Sequence, residues 1–438
     1  MRVASALTVA VLIGSAVEGR QVKLDVAMAN PYLVADKKQV TYMKIGLTGF
    51  EFEDVAKRTP VNIAIVLDRS SSMSGEKMEK AKQAAIMAVD RLGEDDIVSV
   101  IAYNHGVSVL VPATKATHRG NIQDGIRKLR ATGTTALFAG VSKGAAEIRK
   151  FLDRNRVNRV ILLSDGLANV GPQTPGELGE LGSALIKQGI SVSTIGLGDG
   201  YNEDLMAELA LRSDGNHAFA QTPAQLAKIF NYEFGDVLSV VAQEVVVTID
   251  CEPGIRPVRV LGRKADISGQ RVVATLNQLY SRQEKFVLLE VETPPRPHND
   301  VLDIGKVEIT YANMETKTTD ELTSAVAVRF TKSEEEVALQ VDRLVMVSCV
   351  GLIAADRNKR ALALRDQGDV EAARRMLISN GEYLSVNASS LESPDLDQQA
   401  GWNNDDAINL DAGKWKIQRK KMRAYQYEMD NQLMNSSR

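Results

Sequence analysis

Two different hydrophobic patterns divide the chain. Apolar residues alternate with polar or small ones from Val22 to Met28 and again from Met43 to Leu47. This period of two predicts half-buried antiparallel strands. Asn62 to Leu67 is instead a nearly continuous apolar run, as expected for a strand covered by helices on both faces. Apolar residues at helical spacing follow from Gly75 to Leu92, so an α/β layer begins in this region.

The alternation of buried strand and amphipathic helix continues to about residue 236. The pattern predicts strands at Ile97–Tyr103, Arg159–Leu163 and Ser191–Gly196, and helices around residues 122–129, 137–152, 175–188 and from 224. Strands separated by helices of this length favour a parallel, doubly wound sheet. We therefore expect an α/β domain over residues 56–236.

The period of two returns after this domain, with alternating apolar positions at 245–249, 286–291 and 307–311. The two early strands cannot form a stable sheet alone. The simplest arrangement pairs residues 17–55 with residues 237–330 in one β-sandwich. The predicted fold class is thus α/β: a doubly wound, mainly parallel, Rossmann-like sheet inserted in a β-sandwich, with a helical C-terminal region.

The C-terminal region has helical periodicity. Ser333 and Glu336 have the spacing of a capping box, and residues 331–386 are expected to form a helical hairpin. Residues 387–438 are expected to be a polar linker, over residues 387–405, followed by a basic tail. We interpret the tail as a helix face that docks on the body of the protein rather than as a nucleic-acid or membrane patch. The basic run is short, and the chain carries a net charge of −3.

Length and composition set outer bounds on the protein. The 438 residues suffice for about three domains, and the apolar and charged contents are ordinary for a globular protein. The slightly negative charge gives no electrostatic case for nucleic acid. Two cysteines, Cys251 and Cys349, lie far apart in the sequence. A disulfide framework is therefore not expected, and a cysteine-based zinc site is excluded by number.

The first residues have the pattern of an export signal. Arg2 precedes an apolar core from Val3 to Ile13, and residues 14–16 are small enough for cleavage. We expect residues 1–16 to be a signal peptide and the protein to be periplasmic or extracellular; a buried N-terminal strand or helix is the alternative. The best other apolar run, Leu344 to Ala355, is too short to span a bilayer, so no membrane span is expected.

Three short clusters carry the candidate chemistry. They are residues 68–72 (DRSSS), 132–137 (TGTTAL) and 162–166 (LLSDG). The first and third follow predicted buried strands and the second opens a helix, so they are expected at the sheet edge where open α/β sheets bind ligands. Their candidate donors are two carboxylates and three hydroxyls, and the clusters contain no His or Cys. Such an all-oxygen set suits a hard divalent cation, Mg²⁺ before Ca²⁺ or Mn²⁺.

The clusters resemble the metal-ion-dependent adhesion site of von Willebrand factor type A (VWA) domains. That family combines Asp-x-Ser-x-Ser, a Thr after a Gly-rich turn, and an Asp that ends a buried strand. The resemblance covers about residues 59–236. Matched position by position, it implies that the metal ligands, some acting through water, are Asp68, Ser70, Ser72, Thr135 and Asp165. The wider layout is similar to bacterial exported proteins called Ca-activated chloride channel homologues and to inter-alpha-trypsin inhibitor heavy chains.

This set of ligands favours binding over catalysis. Hydroxyls contribute no formal charge, so only two Asp residues offset the ion, which then attracts a carboxylate from a partner at an open coordination position. We expect a non-enzymatic, metal-dependent module of the cell envelope whose protein partner presents an Asp or Glu. Asp-x-Ser-x-Ser alone is weak support, because Asp and Ser are common in turns and helix caps.

Two other functions stay open at this point. One is a Mg²⁺-dependent hydrolase or phosphoesterase, although the clusters offer no evident general base. The other is a regulatory partner of an AAA⁺ ATPase, which retention in the cytosol would favour. Gly140, Ser142 and Gly144 match the G-x-S-x-G nucleophile elbow but fall inside a predicted helix rather than at a strand-to-helix turn. We therefore expect no catalytic residue.

Overall fold

The structure, a computed structural model, describes residues 20–52 and 58–433. The predicted signal peptide, residues 1–16, lies outside the described residues. The chain divides into two compact units, each described by itself below. The α/β unit contains residues 58–240, 409–428 and 433, and the sandwich unit contains residues 20–52, 241–408 and 429–432.

Strands and helices are numbered here in chain order. The strands are β1 (Lys23–Met28), β2 (Tyr32–Val34), β3 (Gln39–Thr48), β4 (Val61–Asp68), β5 (Ile97–Tyr103), β6 (Val107–Lys115), β7 (Val157–Ser164), β8 (Ile190–Leu197), β9 (His217–Ala220), β10 (Val240–Cys251), β11 (Arg256–Leu261), β12 (Ala265–Ser268), β13 (Arg271–Tyr280), β14 (Glu284–Thr293), β15 (Val301–Asn313) and β16 (Thr319–Thr331). The α-helices are α1 (Glu76–Asp90), α2 (Arg119–Arg127), α3 (Leu137–Ile148), α4 (Pro175–Ile186), α5 (Glu203–Ser213), α6 (Leu226–Leu238), α7 (Glu334–Leu339), α8 (Arg343–Asp366), α9 (Val370–Leu391), α10 (Pro394–Ile408) and α11 (Ala412–Asn431).

The α/β unit is built on one sheet with the strand order β6–β5–β4–β7–β8–β9. Its strand pairs are parallel except for β5 with β6, which is antiparallel. Every residue of β4, β5, β7 and β8 is buried, because helices cover both faces of the sheet. The predicted doubly wound, mainly parallel sheet is confirmed.

The chain reverses its direction of winding at β4. The next strand in the chain, β5, pairs with one edge of β4, and β7 pairs with the other. The carboxyl ends of β4 and β7 therefore lie next to each other at the switch point of the sheet. This is the position at which open α/β sheets bind ligands.

The G-x-S-x-G segment lies within α3, as the sequence predicts. A Cβ added at Gly140 would lie 2.8 Å from the ring of Tyr103, and one added at Gly144 would lie 2.7 Å from a methyl group of Val66. The two glycines let the helix pack closely on the sheet. Their spacing is explained by packing and does not form a nucleophile elbow.

The sandwich unit joins strands from both ends of the inserted domain. One sheet has the order β1–β3–β14–β11 and the other has the order β12–β13–β10–β15–β16–β2. Strand β3 pairs along its whole length with β14, while β2 pairs in parallel with β16. The inner faces share one apolar core that includes Ile45, Val247 and Ile309, each fully buried. The predicted insertion of the α/β domain in a β-sandwich is confirmed.

The predicted linker at residues 387–405 is wrong, because this segment is helical. Helix α9 continues to Leu391, and α10 begins at Pro394. Ser393 Oγ accepts a hydrogen bond from the backbone N–H of Leu396 at 3.3 Å, so Ser-Pro starts a helix here. The segment is mostly polar, but its few apolar residues, among them Leu396 and Ala400, pack with Leu384 in a core cluster.

The basic tail forms α11, and residues 412–428 of that helix belong to the α/β unit. Arg419 donates to Glu203 at 2.6 Å and to Asp204 at 2.7 Å, and Arg423 pairs with Asp204 at 2.9 Å. The buried Lys420 ammonium donates to the carbonyl of Tyr201 at 2.7 Å and pairs with Glu203. The basic residues thus bind acidic residues at the start of α5.

The sequence also predicts no disulfide framework and no membrane-spanning segment. Cys251 and Cys349 are both buried and free. Within the described residues, every helix is either too short or too polar to cross a bilayer.

Candidate metal centre

The three predicted clusters meet at the carboxyl edge of the sheet. Asp68 is the last residue of β4, Asp165 follows the last residue of β7, and Thr135 lies two residues before α3. Parallel pairing of β4 with β7 brings the first loop, which carries Asp68, beside the third loop, which carries Asp165. Burial of both strands makes the turn into each loop well defined, so the side chains are positioned by rigid elements.

Backbone hydrogen bonds connect the loops to one another. The N–H of Thr132 donates to the carbonyl of Arg69 at 2.7 Å, and the N–H of Ser71 donates to the carbonyl of Gly133 at 3.0 Å. These bonds join the first loop to the second. They satisfy backbone N–H and C=O groups that lie beyond the strand end and so have no partner in the sheet. They also fix the positions of the hydroxyl-bearing residues of the two loops relative to each other.

Asn169 connects the second loop to the third. Its side-chain carbonyl accepts a hydrogen bond from the N–H of Thr135 at 2.8 Å, and its own N–H donates to the carbonyl of Thr135 at 3.1 Å. The two bonds place Thr135 beside the loop that carries Asp165. Asn169 was not among the predicted site residues, because its role depends on a pairing between distant loops.

The donor side chains contact one another directly. The hydroxyls of Ser70 and Ser72 are 3.0 Å apart, and the Ser72 hydroxyl donates to Asp165 Oδ1 at 2.7 Å. A Cβ added at Gly166 would lie 3.2 Å from Thr135 Oγ1, 3.4 Å from Ser72 Oγ and 3.9 Å from Ser70 Oγ. The three hydroxyls therefore surround one small space beside Gly166.

Asp68 forms the buried base of the cluster. One carboxylate oxygen accepts a hydrogen bond from the N–H of Ser70 at 2.8 Å, and the other accepts one from the hydroxyl of Ser164 at 2.8 Å. Burial raises the pKa of Asp68 to about 6; the hydrogen bonds from Ser70 and Ser164 lower it, and the nearby Asp165 charge raises it. The environment therefore penalises the charged carboxylate, a penalty that a bound cation would offset.

Lys77 is a site residue that the sequence analysis missed. Its ammonium donates to Asp165 Oδ2 at 2.5 Å, and the carboxylate is fully buried while 32% of the lysine side chain is exposed. Lys77 lies in the first turn of α1, where the helix dipole disfavours a cation. The same turn contains Glu76 and Glu79, so the local sequence gave no sign that Lys77 pairs with Asp165.

The arrangement fits a hard divalent cation. The structure brings together all five predicted donors, which are Asp68, Ser70, Ser72, Thr135 and Asp165. These are carboxylate and hydroxyl oxygens, the donors that Mg²⁺ prefers. Among the described residues, His, Cys, Asp and Glu side chains do not cluster in groups of three or more that could hold a metal ion, so the candidate centre depends on hydroxyls.

Fold and donors together define a doubly wound α/β domain with a cluster of side-chain oxygens at the switch point of its sheet. Residues 62–231 match the family model of the von Willebrand factor type A domain, and this part of the chain is a VWA domain. The resemblance inferred from the sequence is confirmed. VWA domains are a family of metal-dependent adhesion and protein-interaction modules, in which this motif binds divalent metal ions.

Known relatives extend the comparison beyond that domain. A Synechocystis sp. protein, sll0103, is 29% identical over 272 residues, which cover 59% of this chain and 63% of the relative. Human inter-alpha-trypsin inhibitor heavy chain H3 is 29% identical over 174 residues, covering 37% of this chain and 19% of the relative. The chain thus spans less than two thirds of the length of these curated relatives.

A solved structure shares the fold over most of the chain. The von Willebrand factor type A protein from Catenulispora acidiphila has a TM-score of 0.68 and 17% identity, covering 86% of this chain and 90% of the other. At this level of identity the likeness concerns the fold alone. It extends through the flanking β-sandwich and helical elements, since the VWA match is confined to residues 62–231.

Proposed function

We propose that this protein is a non-enzymatic, metal-dependent binding module that captures an acidic residue of a protein partner. Mg²⁺ is the proposed ion, with Ca²⁺ or Mn²⁺ as alternatives, held by Asp68, Ser70, Ser72, Thr135 and Asp165, partly through water. One observation carries the proposal: three hydroxyls from two loops surround the space beside Gly166, and Ser72 hydrogen-bonds Asp165.

The donor chemistry explains why such an ion would bind a carboxylate. Mg²⁺ requires near-octahedral oxygen coordination and keeps positions for water or an added ligand. Hydroxyls leave its charge uncompensated, so only Asp68 and Asp165 offset two positive charges. Since Asp68 is also engaged by Ser70 and Ser164, the ion stays electron-poor. A carboxylate that replaces a water molecule then forms a reversible, metal-bridged contact.

The hydrolase alternative is less well supported. Metal-dependent hydrolysis needs a group that accepts a proton from the attacking water. Both carboxylates of the cluster are assigned to the ion, and Asp165 is paired with an ammonium group. Turnover of a phosphoester panel that depends on Mg²⁺ and is lost in Asp165→Ala would reverse this preference.

Metal-dependent capture provides the test. The protein, immobilised in Mg²⁺, is exposed to a cell-envelope extract and eluted with EDTA, while isothermal titration calorimetry measures Mg²⁺ binding directly. Asp68→Ala and Thr135→Ala are expected to abolish both signals and to leave the fold intact. The matched control is Thr134→Ala, which removes an exposed hydroxyl next to Thr135. Capture that survives EDTA and both substitutions would contradict the metal bridge.

We also propose that the chain is exported to the periplasm or the extracellular space, on the sequence pattern of residues 1–16. Mass spectrometry of the protein from its native cells is expected to show a mature N-terminus after that segment. An uncleaved chain in the cytosol would instead favour the ATPase-partner alternative.

A further inference from the structure

The charge distribution of the proposed centre is asymmetric. Asp165 has an ammonium group at 2.5 Å, since Lys77 donates to its Oδ2 atom. Asp68 is just as buried, but among the described residues it makes hydrogen bonds and no ion pair. One carboxylate of the cluster is therefore neutralised by the protein's own cation.

The ion pair and a divalent cation compete for the same carboxylate. Asp165 Oδ1 accepts a hydrogen bond from Ser72, so it faces the hydroxyl cluster, and Oδ2 accepts one from Lys77. An ammonium at this distance repels a second cation bound to the same carboxylate, and little solvent screens the interaction because Asp165 is buried.

Lys77 has the freedom to leave this carboxylate. About a third of its side chain is exposed, and its residue lies at the start of α1, next to solvent. A Cβ added at Gly198, in the loop between β8 and α5, would lie 3.9 Å from the ammonium, which is ordinary van der Waals contact. The exposed part of the side chain gives the ammonium a route into solvent.

From these contacts we propose that Lys77 is a tethered cation that lowers the metal affinity of the centre. The inference rests on the proposed metal site. When the divalent cation binds, it replaces the Lys77 ammonium at the Asp165 carboxylate, and the ammonium moves into solvent. The lysine makes occupancy of the centre depend on the concentration of free divalent cation, because the ion has to displace an internal competitor before it is bound.

The experiment measures binding of Mg²⁺ alone by isothermal titration calorimetry on the full chain. Lys77→Met keeps the apolar stem and removes the charge, and Lys77→Gln is a second variant. Both are expected to tighten Mg²⁺ binding about tenfold, which corresponds to about 1.4 kcal/mol. Lys80→Met is the matched control on the same helix, and among the described residues Lys80 has no ion pair. It is expected to change the affinity less than about twofold.

Thermal unfolding in EDTA adds a second measurement. Removing the ammonium leaves Asp165 buried without a counter-ion, so the Lys77 variants are expected to unfold earlier than wild type in EDTA and to gain more stability from Mg²⁺.

The results distinguish a wrong role for Lys77 from a wrong assignment of the metal site. Tighter binding in the Lys77 variants supports the exchange, including the case where only the variants bind measurably. If wild type binds Mg²⁺ and both Lys77 variants bind it with equal or lower affinity, Lys77 is not a competitor, and the metal site still stands. If neither wild type nor either Lys77 variant binds Mg²⁺, the metal site fails as well.

Discussion

Gly166 shows how a single residue without a side chain keeps the centre open. The position of its absent Cβ is 3.2 Å from Thr135 Oγ1 and 3.4 Å from Ser72 Oγ. A methyl group there would occupy the space enclosed by the hydroxyls and shift Thr135 Oγ1 by a few tenths of an ångström, while all five proposed ligand residues are retained. Substitution at this glycine therefore separates loss of space from loss of a donor.

Gly166→Ala is expected to weaken Mg²⁺ binding by more than about tenfold, because the methyl group displaces the ion or a bound water. Stability in EDTA should change little, since the contacts are tighter than usual but not prohibitive. Titration calorimetry and thermal unfolding measure the two effects. Gly176→Ala serves as control, because an added Cβ there meets nothing within 4 Å. Equal affinities for the two variants would show that the space beside Gly166 is not the ion's position.

His217 is a buried residue that makes part of the stability of the α/β unit depend on pH. Its Nδ1 atom lies 2.8 Å from the Thr194 hydroxyl, and its ring packs against Tyr427. Burial lowers the pKa of His217 to about 4. Below pH 6.5 the unfolded chain therefore binds a proton that the folded state excludes, and this difference destabilises the fold as the pH falls.

We expect the unfolding free energy of wild type to fall between pH 6.5 and 4 by up to about 1.4 kcal/mol per pH unit from this residue. His217→Gln should lack that component, while His105→Gln, at an exposed position, should keep it. Urea denaturation in EDTA at several pH values measures the difference. Parallel pH profiles for wild type and His217→Gln would remove His217 as the source.

Residue types at the centre were predictable to different degrees. The five oxygen donors follow from short motifs, because each donor sits beside a strand end or helix start that the local pattern also predicts. Lys77 and Asn169 act through partners 88 and 34 residues away. Their contacts exist only once three loops are assembled, so no local pattern contains them.

The C-terminal helix α11 is bound to the rest of the α/β unit by charged residues. Lys420 is 2% exposed, donates to the carbonyl of Tyr201 and pairs with Glu203. Burial lowers the pKa of Lys420, and the hydrogen bond to Glu203 opposes that shift. The interaction is thus a buried ion pair whose loss leaves a carboxylate with fewer partners.

Lys420→Met is expected to reduce the unfolding free energy by about 3 kcal/mol, because Glu203 stays buried and, among the described residues, keeps the pairing with Arg419 alone. Lys416→Met on the same helix should have little effect, since Lys416 and Asp199 are 3.6 Å apart and both exposed. Urea denaturation followed by Trp fluorescence measures both. Equal stabilities for the two variants would show that α11 docks by its apolar face alone.

Helix α10 shows why an element can be missed. Its polar composition favoured a linker, yet a few apolar residues on α9 and α10 suffice for packing against α8. Helical stability in proteins comes mainly from tertiary burial of one face. Helix α8 ends at Asp366 and α10 begins at Pro394, so the partner face on α8 was not apparent in the local sequence.

Across the whole molecule, the proposed ion should act on one unit. At a free Mg²⁺ concentration of 100 times the dissociation constant, binding is expected to add about 2.7 kcal/mol to the stability of the state that binds it. Hydrogen exchange should slow in the loops at residues 68–73, 132–136 and 164–171, which carry the donors. Strands β10 and β15 of the sandwich unit should exchange as they do in EDTA. Protection confined to the sandwich unit would place the ion elsewhere.

The sequence by itself determined the doubly wound sheet, its insertion in a β-sandwich and the five candidate donors. Hydrophobic periodicity and strand-end motifs are local, and they report which face of each element is buried. Only the tertiary structure decided that Lys77 pairs with Asp165, that Asn169 holds Thr135, and that residues 387–405 are helical. Those features depend on contacts between segments distant in the chain, and their free energy arises only after the sheet and helices have packed.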